Sequence, residues 1–556
     1  MITATMNMPS QFMRLLLLAV MSLERCEASW ISQSVSGGGH IASLAFDTEH
    51  GQIQAVGTVF EDGFWNMTIG VSAADGDGNG VSCFVATLDV TELENHGKIA
   101  FREPNVCTAV VALPHKGFGH GVAIGYDQLK ARSGFQGDAL QPTLAGIDTF
   151  GMMLSQGTTS TVQNDKKVVY PIAAASDNDF GLFMAVQETT RLPKIISLEE
   201  DPMASILQLQ QEVETGSLDW VPAIQKVHTS DGTVLWRTPI ATEDGHSILT
   251  SVAFMPLSNI LLVAGSSNGK GSALGAGYSS QDWDGFLTMV DPETGVIDDT
   301  EGVLARHSLR IQTQPGMDDY VHAICVSGDK VYVVGTTDGV MEGTAAGGAF
   351  MIKYDMDTLQ KHWTTQIPGK VHGKLCGVSE EDGVVYIGGN VAEGLSIEKG
   401  VKIASLQDGF VSQLSAKNGD ISWTRQFGSH RDDTLESMVV DNDGNVVVCG
   451  NSLEHAYIPS YLFSPANDIF IMSLDKLDGA HQDLVHEVIR PAKTTSDKKE
   501  PNLVIVFAAV IPVIIALILV ACECRRKHKS EVDTAHNTGD DLEDLQTSTT
   551  SQAQLV

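Results

Sequence analysis

Residues Asp75-Gly76-Asp77-Gly78-Asn79-Gly80 alternate oxygen-bearing side chains with glycine, which is how a loop begins to wrap a hard cation, and calcium is the ion they suggest. The ninth and twelfth places of such a loop are Cys83 and Ala86, so its closing carboxylate is missing and an acidic turn is the alternative. Further loop residues, Asp62, Trp65, Asp282, Trp283 and Asp284, are of the types that anchor a partner, rings for contact area and carboxylates for charge. Asn66-Met67-Thr68 is the single N-x-S/T sequon, which makes Asn66 the glycosylation candidate. Gly265-Ser266-Ser267-Asn268-Gly269 matches G-x-S-x-G, but no helix pattern follows, so it reads as a loop and not a nucleophile elbow. No residue is assigned a catalytic role.

Of eight cysteines, Cys26 falls in a leader-like segment, and Cys522 and Cys524 at a membrane edge, where S-acylation competes with plain thiols. Five remain, an odd number, so at least one is unpaired. Cys83 and Cys107 flank two expected successive strands and form the candidate disulfide. Cys325, Cys376 and Cys449 sit in apolar strand contexts and read as small buried hydrophobes.

The elements that position these residues repeat along the chain. ICVSGDKVYVVGTT, VSEEDGVVYIGGN and MVVDNDGNVVVCGNS stack on one another, and LAFDTEHGQIQAVGT, VALPHKGFGHGVAIG and VAFMPLSNILLVAGS share their frame. Their anchoring glycines are Gly57, Gly125, Gly265, Gly335, Gly388 and Gly450; VVYPIAAASDNDFGLFMAV is a looser seventh copy. Each repeat continues into a further alternating strand, opened by Asp148, Asp284, Asp408 and Asp468 in a D-x-F pattern, where the carboxylate is expected to take backbone N–H groups. A turn and often a Trp follow, as at Trp236, Trp363 and Trp423. Period-two alternation with four strands in each of seven repeats predicts an all-β, seven-bladed β-propeller, with a β-sandwich array as the competitor. WTTQIPG and WTRQFG recur near the start as WISQSVSG, so Trp30 to Ser36 is expected to complete the last blade. The connections from second to third strands are long in every repeat and must crowd one face, where insertions usually build a binding surface.

The pattern W-x-x-Q, D-x-D-G-N-V-V-V-x-G and D-x-F-x-x-x-x-D resembles the bacterial-type SBBP propeller repeat, and SDGTVLW is similar to the PQQ-type quinoprotein repeat. The resemblance implies the propeller fold over most of residues 30–480. On the quinoprotein side it also implies an oxidoreductase, yet that family's adjacent-cysteine ring is absent and no catalytic carboxylate can be matched.

Charge and hydropathy supply an address. Residues 1–28 read as a signal peptide, 29–489 as the propeller ectodomain, 490–502 as a stalk, 503–521 as one transmembrane helix without a charge, and 522–556 as a disordered tail. Arg525-Arg526-Lys527-His528-Lys529 is the basic stop expected on the cytoplasmic side. A plasma-membrane protein is expected, with an endomembrane as the alternative. The net charge of -34 works against nucleic-acid binding. A protein or glycan ligand on the long-connection face is the leading expectation, with a luminal or surface enzyme as its rival.

Overall fold

The second strand of each repeat is a continuous apolar run, as in Lys330–Thr337 and Val384–Val391, because a neighbouring layer covers each face; every residue after the first is buried. The structure, a computed structural model, describes most of the chain between Gln33 and Gly479; residues 1–32 and 480–556, and most of the longer connections, lie outside the described residues. Among the described residues no helix is long and apolar enough to cross a membrane, and the segment 503–521 lies outside them.

The described strands make seven four-stranded antiparallel sheets, the blades of a propeller, and one two-stranded ribbon. After β1 (Gln33–Val35), blade 1 is β2 (Gly39–Asp47), β3 (Gln52–Val59), β4 (Ser82–Asp89) and β5 (Asn95–Phe101). Blade 2 is β6 (Val106–Ala112), β7 (Gly121–Tyr126), β8 (Pro142–Ile147) and β9 (Met153–Thr158). Blade 3 is β10 (Val168–Ser176), β11 (Gly181–Thr189), β12 (Val221–His228) and β13 (Val234–Pro239). Blade 4 is β15 (Ser247–Met255), β16 (Ile260–Ser267), β18 (Asp284–Val290) and β19 (Ser308–Ile311), beside the ribbon of β14 (Thr242–Asp244) and β17 (Lys270–Gly271). Blade 5 is β20 (Asp319–Ser327), β21 (Lys330–Thr337), β22 (Gly348–Asp355) and β23 (Lys361–Pro368), and blade 6 is β24 (Val371–Ser379), β25 (Val384–Val391), β26 (Asp408–Ser415) and β27 (Ile421–Phe427). Blade 7 is β28 (Asp433–Val440), β29 (Val446–Ser452) and β30 (Asp468–Leu474), with β1 as its fourth strand. The first strands touch one another round a closed circuit, β2, β6, β10, β15, β20, β24, β28 and back to β2, so they are innermost and line the axis.

Every innermost strand bulges at the same place: its ladder skips Ala42, Thr108, Ile172, Thr250, His322, Lys374 and Glu436 in turn. The bulge presses the carbonyl two residues earlier onto the second strand. A Cβ on Gly57, Gly265, Gly335, Gly389 or Gly450 would lie only 1.9–2.1 Å from that oxygen, so glycine is required. Opposite these glycines on the third strand stand Phe84, Phe286, Phe350, Phe410 and Phe470, and in blades 1, 4, 5 and 7 the phenylalanine ring fills the space that a side chain would have taken. This corrects the frame in blade 6, where Gly389 and not Gly388 faces the bulge. Blade 3, the loosest repeat, has Val186 at this place. In blade 2 the third strand ends at Ile147, so Asp148 follows that strand and does not open it; its sequence PTLAGI carries no Phe to mark it.

Tryptophans join neighbouring blades. The fourth strands bulge at Leu235, His362 and Ser422, which turns these residues to solvent and the next residue, Trp236, Trp363 or Trp423, onto the following blade. Each indole Nε1 donates to a carbonyl there, of Pro292 at 3.1 Å, Ala416 at 3.2 Å or Lys476 at 3.2 Å. The same turns end in Gly295, Gly419 and Gly479, where φ is positive and the indole lies where a Cβ would be.

The ring closes through the start of the chain. β1 pairs with β30, with Ser34 opposite Phe470, so the expected closing strand is present. Its register differs by one residue from the W-x-x-Q alignment, because Gln366 and Gln426 hold the corresponding places in blades 5 and 6, whereas Gln33 faces Ile471. Nearer the axis, Asn451 of β29 accepts from the Ile41 N–H at 2.9 Å and donates to its carbonyl at 3.1 Å, joining blade 7 to blade 1.

Two disulfides also cross between blades. Cys83, at the start of β4, is bonded to Cys107 of β6, with Cα atoms 5.3 Å apart and β5 between them in sequence. Cys325 of β20 is bonded to Cys376 of β24, Cα atoms 5.7 Å apart, which corrects their reading as free hydrophobes: neighbouring innermost strands bring them together. Cys449 is a buried free thiol.

Candidate functional site

The bulged residue of each innermost strand has no ladder partner, so its side chain is re-aimed, and all seven line one axial cavity of about 710 Å3. His40, Val106, Tyr170, Ile248, Tyr320 and His372, each two residues earlier, form a second tier of the wall. Trp283 and Asp318, which precede β18 and β20, line the cavity, as do Thr58, Thr336, Thr337 and Asp338 at or after the ends of second strands. The cavity therefore lies at the end of the axis where second-to-third connections leave the blades. These span 60–81, 127–141, 190–220, 268–283, 338–347, 392–407 and 453–467, whereas no first-to-second turn on the opposite face exceeds 113–120. One third-to-fourth connection on that opposite face, 291–307 in blade 4, is long.

Titratable groups gather on one side of the axis. Blades 5 to 7 supply Tyr320, His322, His372, Lys374 and Glu436, while blades 1 to 3 supply mostly apolar and hydroxyl side chains apart from His40 and Tyr170. The Trp283 ring packs on Tyr320 with centroids 5.6 Å apart, and Tyr320 stacks on His322 at 6.2 Å. The backbone N–H of Trp283 donates to Asp318 Oδ1 at 2.9 Å, which ties the main chain just before β18 to the residue just before β20. Glu436 Oε1 accepts from Thr434 Oγ1 at 2.7 Å and Asn451 Nδ2 at 3.3 Å. Thr58 and Thr336, 1% and 9% exposed, have hydroxyls without a hydrogen-bond partner among the described residues.

Burial holds the His322 imidazole neutral, its pKa pushed down to about 3, with Lys374 and His372 adding in the same direction. Burial also lowers His40, against the pull of Glu436, and lowers His372, where Lys374 assists and Asp338 opposes. Tyr320 is pushed up by burial and by the charges of Asp318 and Asp338. On unfolding, each imidazole regains its ordinary value of 6.5 and takes up a proton below it, so the unfolded state binds more protons in acid. Stability is therefore whole above pH 6.5 and falls as pH drops toward 3, by about 1 kcal/mol for His322 at pH 5 once channel water is allowed for. Thermal unfolding between pH 7.5 and 5 should show a shallower decline for His322→Gln than for the parent; equal slopes would refute this assignment.

The sequence candidates disperse. Trp283 stands at the cavity mouth, whereas Asp282 accepts from the Gly316 N–H at 2.7 Å and does not line the cavity. Asp284 opens β18 fully buried, in an ion pair with Arg310 of the next strand, beyond a ligand's reach. Asp408 likewise accepts from Gln426 Nε2, at 2.7 Å, so both aspartates engage a side chain of the fourth strand. Asp62, Trp65, Asn66, Asp75, Asp77, Asn79, Cys522 and Cys524 lie outside the described residues. Among the described residues no group of three or more His, Cys, Asp or Glu could hold a metal ion. The serine of the G-x-S-x-G match, Ser267, is the last residue of strand β16 and not part of a loop; its Oγ accepts from Ser247 Oγ at 2.8 Å and donates to the His246 carbonyl at 3.2 Å. Sequence reasoning missed Tyr320, His322, His372, Lys374 and Glu436. The available signal was a polar residue at the fourth place of an otherwise largely apolar first strand, as in DYVHAICV, VHGKLCGV and DTLESMVV.

No family model matches the sequence, and no curated protein matches it. Among solved structures, BamB from Moraxella catarrhalis is similar at 10% identity and a TM-score of 0.34, over 78% of this chain and 85% of that one. The C-terminal WD40 domain of Sif2 is similar at 11% identity and a TM-score of 0.39, over 80% and 99% respectively. A quinohemoprotein alcohol dehydrogenase, ADHIIG from Pseudomonas putida HK5, is similar at 11% identity and a TM-score of 0.39, over 84% and 77%. Likenesses this distant say nothing of what the chain binds.

Proposed function

We propose that the chain is a single-pass, membrane-anchored extracellular propeller that serves as a binding, adhesion or receptor module, taking a protein ligand on its long-connection face, with a glycan as the alternative ligand. The observation that carries this reading is the coincidence of two features at one end of the axis, the cavity and all seven long connections. Two disulfides suit an oxidising compartment, and the leader-like start and charge-free segment 503–521 suit an anchored surface protein. Calcium at Asp75, Asp77 and Asn79, and a glycan at Asn66, belong to the same proposal. The glycine and tryptophan contacts that recur between blades support descent from an SBBP-like or quinoprotein-like repeat.

The enzyme reading has one observation in its favour, an axial cavity lined with titratable groups. Against it, His40, His322 and His372 make no side-chain hydrogen bond among the described residues, so none is paired with a nucleophile or held by an orienting carboxylate. Binding therefore stands first.

Protease applied to intact cells should release the propeller and spare a fragment with the span and tail. A ligand screen on residues 29–490 should then find a partner whose affinity falls by more than ~1 kcal/mol in Trp283→Ala, with an unchanged unfolding midpoint. An ectodomain protected at the surface would refute the topology. Loss of binding through the turn at Glu381-Asp382 and not through Trp283 would refute the choice of face.

A further inference from the structure

We infer that the blade 5 side of the channel mouth is a pocket for an arginine side chain of the protein partner, with Trp283 and Tyr320 as its aromatic wall and Asp318 and Asp338 as its carboxylates. The inference rests on the long-connection face being the binding face. Both rings are half-buried, packed on each other at 32°, and line the cavity, so aromatic surface remains open there. Asp338 is exposed just after β21, and its charge acts on both Tyr320 and His372, which places it beside the rings and between blades 5 and 6. Thr336 stands directly opposite Tyr320 in the ladder, and its buried hydroxyl has no partner among the described residues, which leaves an acceptor unused.

A guanidinium suits this set because it carries five N–H donors and no acceptor, is planar enough to stack on a ring, and stays charged. The sign of the cavity decides against an anion. With its three imidazoles held neutral, the wall sets Asp318, Asp338 and Glu436 against one ammonium, Lys374. The chain's net charge of -34 draws cationic partners over a longer range.

The full-length protein in detergent micelles should be titrated calorimetrically with acetyl-Gly-Arg-Gly-amide and with its citrulline counterpart, which keeps the shape without the charge. At low salt the arginine peptide is expected to bind about tenfold more tightly than the citrulline peptide. Asp338→Asn should abolish that preference, and Lys374→Gln, which removes a cation from the wall, should strengthen arginine binding about twofold. Thermal midpoints of both variants check that the fold is intact. Equal affinity for the two peptides, an indifferent Asp338→Asn, or weakening by Lys374→Gln would each overturn the pocket. A protein ligand that needs Trp283 but ignores Asp338→Asn would overturn the arginine and leave the face standing; arginine peptide binding with protein binding elsewhere would do the reverse.

Discussion

Removing residues 29–36 from the ectodomain is expected to lower its unfolding midpoint by at least about 5 °C, with aggregation on heating. The segment contributes β1, which pairs with β30 over Gln33, Ser34 and Val35. Without it β30 becomes an open edge whose backbone groups can pair with another molecule. The deletion does not separate blades 7 and 1 completely, because Asn451 still clamps Ile41 and Ser437 Oγ still accepts from the Leu44 N–H at 3.0 Å. A loss of cooperativity confined to these two blades is therefore expected, not collapse of the whole ring. Differential scanning calorimetry of the two proteins checks it. An unchanged midpoint would mean that another segment, such as residues 484–489, takes the place of β1.

Two adjacent glycines provide the sharper contrast. Gly389→Ala puts a methyl group 1.9 Å from the His372 carbonyl oxygen, which moves only if the β24 bulge is undone, so a loss of about 3 kcal/mol or more is expected. At Gly388 the new Cβ meets Leu375 Cβ at 3.4 Å, an ordinary contact, and the alanine restricts the unfolded chain, so the change should stay within about 1 kcal/mol. Denaturant unfolding of both variants decides. Equal losses would place the bulge differently in blade 6. The same bulge aims Lys374 into the cavity, so Gly389→Ala should also weaken any ligand held there.

The repeat frame was legible because its marks are local consequences of packing. Gly57, Gly265, Gly335 and Gly450 stand where a carbonyl leaves no room for a Cβ, and Trp236, Trp363 and Trp423 stand where a fourth strand meets the next blade. The frame slipped where two candidates lay side by side, as at Gly388 and Gly389, or where the mark was missing, as in blade 2 without its Phe. Asp284 illustrates the harder case. Its position before a Phe looked like a surface loop end, yet Arg310, on the next strand, covers it and satisfies its charge.

By itself the sequence determined the class of strand, the number of blades and the segment that closes the ring, because these follow from period-two alternation and from residues that recur at fixed intervals. Only the tertiary structure decided which side chains meet on the axis. A bulge shifts the strand by one residue, so the alternation that predicts inward and outward faces fails at His322, Lys374 and Glu436, where the cavity wall is made. The Cys325–Cys376 bridge and the Trp283–Tyr320 pair were hidden for a related reason: each joins residues that are far apart in sequence, 51 positions in the case of the bridge, and only the circular arrangement of blades makes them neighbours.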